Sequence, residues 1–166
     1  MSRSYKTQLV GQIGEHLVVA ELGRRNVIAA PFAGNVPDID ILAFMNGRSV
    51  PIQVKAQRKG DMGADGKKYR KIRRDGERQI IEGIATDIDR DLIFVLVKVG
   101  ETTGTDEFYL FTQGVVQDLI FRKYTDFLKK HNGVRPKNPD TTHCSYYLRD
   151  LTEYKDNWEL IINRLT

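Results

Sequence analysis

Apolar positions recur along the chain at two periods, and the two periods divide it into helices and strands. Leu9, Ile13, Leu17 and Ala20 lie three or four residues apart, which predicts a helix over 6–24 with an apolar face. Val18, Val19 and Leu22 form a second patch, so this helix is expected to be buried on two sides. Glu15 stands on that second patch, where an ionised carboxylate is costly unless a cation or hydrogen bonds compensate it. Residues 27–30 predict a short first strand, and 32–36, with Gly34-Asn35, a loop. Pro37 then restricts Val36 to extended geometry. Asp38 and Asp40 lead into Ile41, Leu42, Ala43 and Phe44, and Asn46-Gly47 is a strong hairpin signal because the pair tolerates positive φ. Val50, Ile52 and Val54 return with Gln53 and Lys55 between them. Strand alternation puts Gln53 and Lys55 on one face and Ile52 and Val54 on the other. A hairpin folded at Asn46-Gly47 therefore brings Asp40 beside Gln53 and Lys55.

Beyond that hairpin the pattern continues less evenly. Residues 58–79 read as an excursion, with a ribbon built on 68–73 whose Tyr69 and Ile72 pack inward while the cations face out. Residues 92–99 (LIFVLVKV) are a buried strand, and 108–111 pair with it across the loop that follows. An amphipathic helix is predicted over 113–130, with Val116, Leu119, Ile120, Tyr124, Phe127 and Leu128 on its core side. Residues 131–140 form a Pro/Gly/Asn linker, 144–148 a short strand, and 153–165 a last helix carrying Tyr154, Trp158, Ile161 and Leu165 on one stripe. Trp158 is expected in the core.

At 166 residues the chain is expected to be one domain with a substantial core. No apolar run approaches the roughly 20 residues of a membrane span, and the N-terminus lacks the apolar stretch of a signal peptide, so a cytoplasmic location is expected. A single cysteine, Cys144, excludes an internal disulfide and disfavours a thiolate zinc site. His16, His131 and His143 lack the partners a histidine-based metal or catalytic site needs. Charge changes the picture most. From Arg58 to Arg78 nine cations (Arg58, Lys59, Lys67, Lys68, Arg70, Lys71, Arg73, Arg74 and Arg78) face four acids, while the rest of the chain is one charge negative. One basic segment on a near-neutral body has the form of a phosphate-binding surface.

These residues resemble the PD-(D/E)xK nuclease superfamily. The motif stands as Pro37-Asp38-Ile39-Asp40 followed by Gln53-Val54-Lys55, a Gln-x-Lys variant, and Gly11-Gln12-Ile13-Gly14-Glu15 supplies the helical glutamate typical of these nucleases. The likeness covers roughly residues 8–100 and is most like the small group I intron-associated homing endonucleases. It implies an α/β, restriction-endonuclease-like αβββαβ core with a mixed central sheet and flanking helices. On that reading 1–166 are a single nuclease domain: 8–57 and 91–130 the catalytic core, 58–79 a basic DNA-binding excursion, 131–166 a C-terminal extension.

The resemblance also implies roles. Asp40 is the principal metal ligand, Glu15 holds the metal directly or through water, and Gln53 and the carbonyl of Val54 complete the set around Mg²⁺, for which Mn²⁺ substitutes. Asp38 is an accessory or caps the loop. Lys55 orients or deprotonates the attacking water. Gln53 in place of an acid leaves two formal negative charges, so metal binding leans on the DNA phosphate. The activity implied is a Mg-dependent endodeoxyribonuclease acting on double-stranded DNA, site-specific in a homing or restriction-like manner, and working as a homo-oligomer, a dimer or tetramer. Two alternatives stand beside it: a Holliday junction resolvase with the same site, and a non-catalytic DNA-binding module.

Overall fold

The computed structural model describes residues 3–32 and 37–166, with side chains from Tyr5 onward. The loop expected with Gly34-Asn35 and the restriction of Val36 lie outside the described residues. In chain order the elements are α1 (Arg3–Arg24), β1 (Ile28–Pro31), β2 (Ile41–Met45), β3 (Arg48–Gln57), β4 (Met62–Asp65), α2 (Gly66–Tyr69), β5 (Arg70–Asp75), β6 (Arg78–Ile84), β7 (Ile93–Lys98), β8 (Glu107–Thr112), α3 (Gln113–Lys130), β9 (His143–Tyr146) and α4 (Glu159–Leu165). They gather into two compact units, one of Met1–Gly60, Leu92–Thr112 and Leu151–Thr166, the other of Asp61–Asp91 and Gln113–Asp150.

The first unit holds a five-stranded sheet in the order β1-β2-β3-β7-β8. It is mixed, because β3 and β7 run parallel while every other neighbouring pair is antiparallel. Asn46 (φ 53°) and Gly47 (φ 78°) make the two-residue turn between β2 and β3, the left-handed geometry that this dipeptide permits. The turn sets the register at Met45↔Arg48, and alternation then carries Ile41, Ala43, Val50, Ile52 and Val54 to one face. On that face they join Ile93, Val95, Val97, Phe108 and Leu110, with Val18 and Leu22 from α1 and Trp158, Ile161 and Leu165 from α4. A seven-residue helix does not persist alone in water; α4 holds because its Ile161 and Leu165 and its N-cap Trp158 are in this core.

Three expectations are corrected here. The apolar face of α1 is not Leu9, Ile13, Leu17 and Ala20: Leu9 is 36% exposed and Ala20 lies on the surface. The buried line is Gly14, Val18 and Leu22, at four-residue spacing, flanked by Val10, Ile13, Leu17 and Val19. The helix expected over 153–165 begins only at Glu159. Before it, short 3₁₀ turns at Leu148–Asp150 and Thr152–Tyr154 lead to Asp156, held at φ 53° with its amide donating to the Phe108 carbonyl at 2.8 Å. Bonding along β8 replaces helical bonding there. Phe127 of α3, expected inside, is 37% exposed, its ring 4.5 Å from His131.

Glu107 of β8 is ringed by donors: Lys98 across the ladder, Lys155 at 2.8 Å and the Tyr109 hydroxyl at 3.0 Å. The hydrogen bonds from Lys155 and Lys98 hold its carboxyl down at about 2. A carboxylate depressed in the folded state contributes stability above its unfolded value of about 4.3, and the contribution disappears as pH falls toward the folded value. Glu107→Gln is therefore expected to flatten the loss of stability between pH about 4.5 and about 2. Urea unfolding midpoints measured across that range check it; an unchanged acid limb would contradict it.

The second unit contains the antiparallel ribbons β4–β9 and β5–β6 with α3. Helix α3, grouped with 91–130 on sequence grounds, belongs to this unit. Its Gln117 is fully buried and donates Nε2 to the carbonyls of Tyr69 (3.1 Å) and Ala85 (2.8 Å). No helix among the described residues is long and apolar enough to cross a membrane.

Candidate active site

The candidate site lies where β2 begins, beside the middle of β3. Asp40 is fixed from both sides: its amide donates to the Ile52 carbonyl at 2.9 Å, and its carbonyl accepts from the Phe32 amide at 2.9 Å. Because Ile41 faces Ile52, the next antiparallel pair is Asp40 with Gln53, so their side chains leave the same face. One carboxylate oxygen of Asp40 accepts the Val54 amide at 2.7 Å. That bond pins the carboxylate and leaves its second oxygen for another partner. Backbone N–H and C=O of one strand residue point to the same edge. The Val54 carbonyl therefore faces the side of β3 where the β2 ladder has run out.

Helix α1 brings Glu15. A Cβ at Gly14 would stand 2.4 Å from the Ala56 Cβ and 3.6 Å from a Val54 methyl, so the helix approaches β3 as closely as a missing side chain allows. The next residue is Glu15, half-buried. Burial raises its pKa most, the negative charge of Asp40 raises it further, and His16 lowers it. The Asp40 charge thus reaches Glu15, and two acids have been brought near one another. Raised folded-state pKa means that ionised Glu15 opposes folding at neutral pH. Glu15→Gln is therefore expected to raise the melting temperature of the metal-free protein at pH 7.5. The gain should vanish below pH 4, where the wild-type carboxyl is itself neutral. A lower melting temperature for the variant at pH 7.5 would contradict this.

Gln53 is 7% exposed, and its Oε1 is buried without a hydrogen-bond partner. An orphaned carbonyl oxygen in a folded interior costs about 1–3 kcal/mol. Asp40, Glu15, the Gln53 side chain and the Val54 carbonyl each offer oxygen, two of them as carboxylates, the donor chemistry that suits Mg²⁺ or Mn²⁺. These residues fit such an ion. Lys55 is exposed and follows Gln53 by two residues, so it leaves the same face about 6.5 Å further along the strand. It makes no ion pair with Asp40, whose carboxylate is engaged with the Val54 amide instead. Asp38 occupies a turn at φ 61°, exposed and ahead of the strand.

The basic segment is less uniform than its composition. Arg70 is 2% exposed and does not face out. Its Nη1 donates to the Ile120 carbonyl at 2.7 Å, its Nη2 to the Cys144 sulfur at 3.7 Å, and the guanidinium lies 3.7 Å over the Tyr124 ring. Burial lowers its pKa, and stacking on an aromatic with carbonyl acceptance is what keeps a cation there. Arg73 pairs with Glu82 at 2.6 Å and Arg74 with Asp140; Lys59 stands 3.6 Å from Glu101, and Arg58 donates to the Gly100 carbonyl at 3.0 Å. Lys67, Lys68, Lys71 and Arg78 are exposed. Arg70 is thus a structural cation in place of the expected phosphate contact. In the sequence Gly14 stands only as part of the Gly11-Gln12-Ile13-Gly14-Glu15 motif, and nothing in the local pattern marks it as a point of close helix–sheet approach.

No family description matches the chain, and no curated protein does. Among solved structures, the chain is similar to a bacterial homing endonuclease, I-Ssp6803I, with a TM-score of 0.51 at 16% identity, covering 95% of this chain and 94% of that one. At that identity the likeness establishes the fold. The mixed α/β architecture, a mixed central sheet flanked by helices, is restriction-endonuclease-like.

Proposed function

We propose that the chain is a metal-dependent endonuclease that hydrolyses phosphodiester bonds in duplex DNA, site-specifically and as a homo-oligomer. The observation that carries the reading is the buried, unpartnered Gln53 carbonyl beside two mutually repelling carboxylates. A buried carbonyl oxygen without a partner, near a carboxylate whose charge is opposed by burial and by a second acid, is what a site built for a missing cation looks like. The fold shared with a solved homing endonuclease supports it.

In this reading Glu15, Asp40, Gln53 and the Val54 carbonyl hold Mg²⁺ or Mn²⁺. When bound, the ion supplies charge neutralisation at the phosphorus and an acidified water. The chain's own groups do the rest. The Val54 amide fixes one Asp40 oxygen so that the other keeps its aim. Lys55, extending from the same face, takes or orients the proton of the attacking water and offsets charge that develops on the phosphate. Lys67, Lys68, Lys71, Arg78, Arg58 and Lys59 contact phosphates, and Arg73 and Arg74 do so on exchanging their carboxylate partners; Arg70 is left out.

The test uses long genomic duplex with end-sequencing, alongside supercoiled plasmid, in Mg²⁺ and in Mn²⁺. Cuts at a recurring sequence that EDTA removes are expected. A folded protein that leaves both substrates intact with either ion would overturn the reading.

A further inference from the structure

The open part of the five-stranded sheet adjoins the candidate site. Asp40, Leu42 and Phe44 alternate onto the face that carries Gln53 and Lys55, since Leu42 lies across from Pro51 and Phe44 across from Ser49. From β1 the same face receives Ile28, across from Phe44, and Ala30, across from Leu42. Phe32 is next in that alternation, and its amide donates to the Asp40 carbonyl at 2.9 Å, which sets the two residues side by side. Toward β7 and β8 this face is covered, with Phe94, Leu96 and Phe111 at most 2% exposed. Phe32 (40%), Leu42 (37%), Phe44 (42%) and Ile28 (68%) are left in water. Single exposed apolar side chains are ordinary on a protein surface. Position separates two of these from the ordinary. Neighbouring strands lie about 4.8 Å apart and alternate residues about 6.5 Å, so Phe32 and Leu42 fall within about two nucleotide rises of a phosphate held at Asp40.

We propose that Phe32 and Leu42 form an apolar wedge that opens the base step beside the scissile phosphate. The wedge rests on the nuclease reading, which supplies the phosphate at Asp40. Three observations choose duplex bases as its occupant. A duplex lying over Asp40 and Lys55 also covers Phe32 and Leu42, because all four share one open face. The strip beside Asp40 carries no charge: β1 reads IAAP and β2 reads ILAFM. It cannot neutralise a phosphate, and the large apolar surfaces of a duplex are its base faces, which only an opened step presents. Finally, the wedge and the candidate metal ligand share one frame. Phe32 bonds to Asp40, the Asp40 amide to the Ile52 carbonyl, and the Val54 amide to the Asp40 carboxylate. A step opened by Phe32 is therefore opened at a fixed offset from Asp40. Phenylalanine and leucine are among the side chains that enter base steps and kink the duplex, and stacking on the ring offsets part of the cost of unstacking.

The test uses duplexes that the full chain selects from a random pool in Ca²⁺. With 2-aminopurine walked through the selected sequence, wild type is expected to brighten it at one step. Phe32→Ala should leave that step dim, and Phe32→Tyr, which keeps the ring, should brighten it as wild type does. In Mg²⁺, Phe32→Ala and Leu42→Ala are each expected to cut the matched duplex at least about tenfold more slowly. A mismatch at the same step, already cheap to unstack, should restore most of that loss. Should Phe32→Ala unfold, Leu42→Ala carries the same comparison. Equal slowing on matched and mismatched duplex would make both residues structural and overturn the wedge, as would full activity in both alanine variants. A changed sedimentation mass in either variant would give the face to another copy and also overturn it. The nuclease reading fails separately. A wild type that brightens one step and cuts nothing removes that reading and leaves the wedge; one that cuts without brightening removes the wedge and leaves the reading. A chain that retains no duplex overturns both.

Discussion

Lys55→Ala and Asp40→Asn are each expected to slow metal-dependent cleavage about 10²–10⁴-fold while duplex binding stays measurable. The two substitutions separate chemistry from folding. Lys55 is exposed and takes no part in an ion pair with Asp40, so its loss leaves the strand intact. Asparagine at 40 keeps an oxygen to accept the Val54 amide and removes only the charge, so the register of β2 against β3 survives. Single-turnover cleavage of end-labelled duplex, with fluorescence anisotropy for binding in Ca²⁺, reads both effects. Full activity in either variant would remove this site from consideration. Divalent metal offers a readout independent of turnover. A ligand that binds only the folded state raises its stability with concentration. Mn²⁺ is therefore expected to raise the melting temperature of the wild type and not that of Asp40→Asn.

Gly14→Ala is the second large effect. On an isolated helix the change gains about 1 kcal/mol. Here the new Cβ would come within 2.4 Å of the Ala56 Cβ, a short side chain with no rotamer to move aside. Helix or strand must shift, and overpacking of this kind costs about 1–3 kcal/mol. The expected result is a lower melting temperature together with reduced cleavage, because Glu15 is the very next residue on the displaced helix. Ala56→Gly in the same chain removes the clash and should restore both. A coupling near zero in that double-mutant cycle would mean that the helix does not rest on Ala56.

Glu15→Gln belongs with these variants because it moves stability and activity in opposite directions. Relief of repulsion between Glu15 and Asp40 stabilises the metal-free fold, while loss of a carboxylate weakens the proposed metal set. A residue kept only for packing would not show that opposition.

Much of the central hairpin was legible in the chain because its determinants are local. Asn46-Gly47 admits the positive φ of a two-residue turn, and strand alternation then sends Ile52 and Val54 to the core and Gln53 to the face of Asp40. The buried strand around Val95 and the amphipathic α3 were legible for the same reason: a period in the sequence is a direction in space. The ending of the chain was misread. Tyr154, Trp158, Ile161 and Leu165 do recur at helical spacing, yet the segment before Glu159 bonds to β8, and Asp156 turns left-handed to allow it. A neighbouring strand outcompeted the helical period.

The sequence by itself determined which groups share the site's strand face and how β2 and β3 align, since turn chemistry and alternation act between near neighbours. Only the tertiary structure decided that Gly14 is the contact through which α1 delivers Glu15, that Arg70 is an interior cation stacked on Tyr124, and that Ile28 and Phe44 are left uncovered. Each of those depends on what a residue far along the chain presents, and neither composition nor period contains that information.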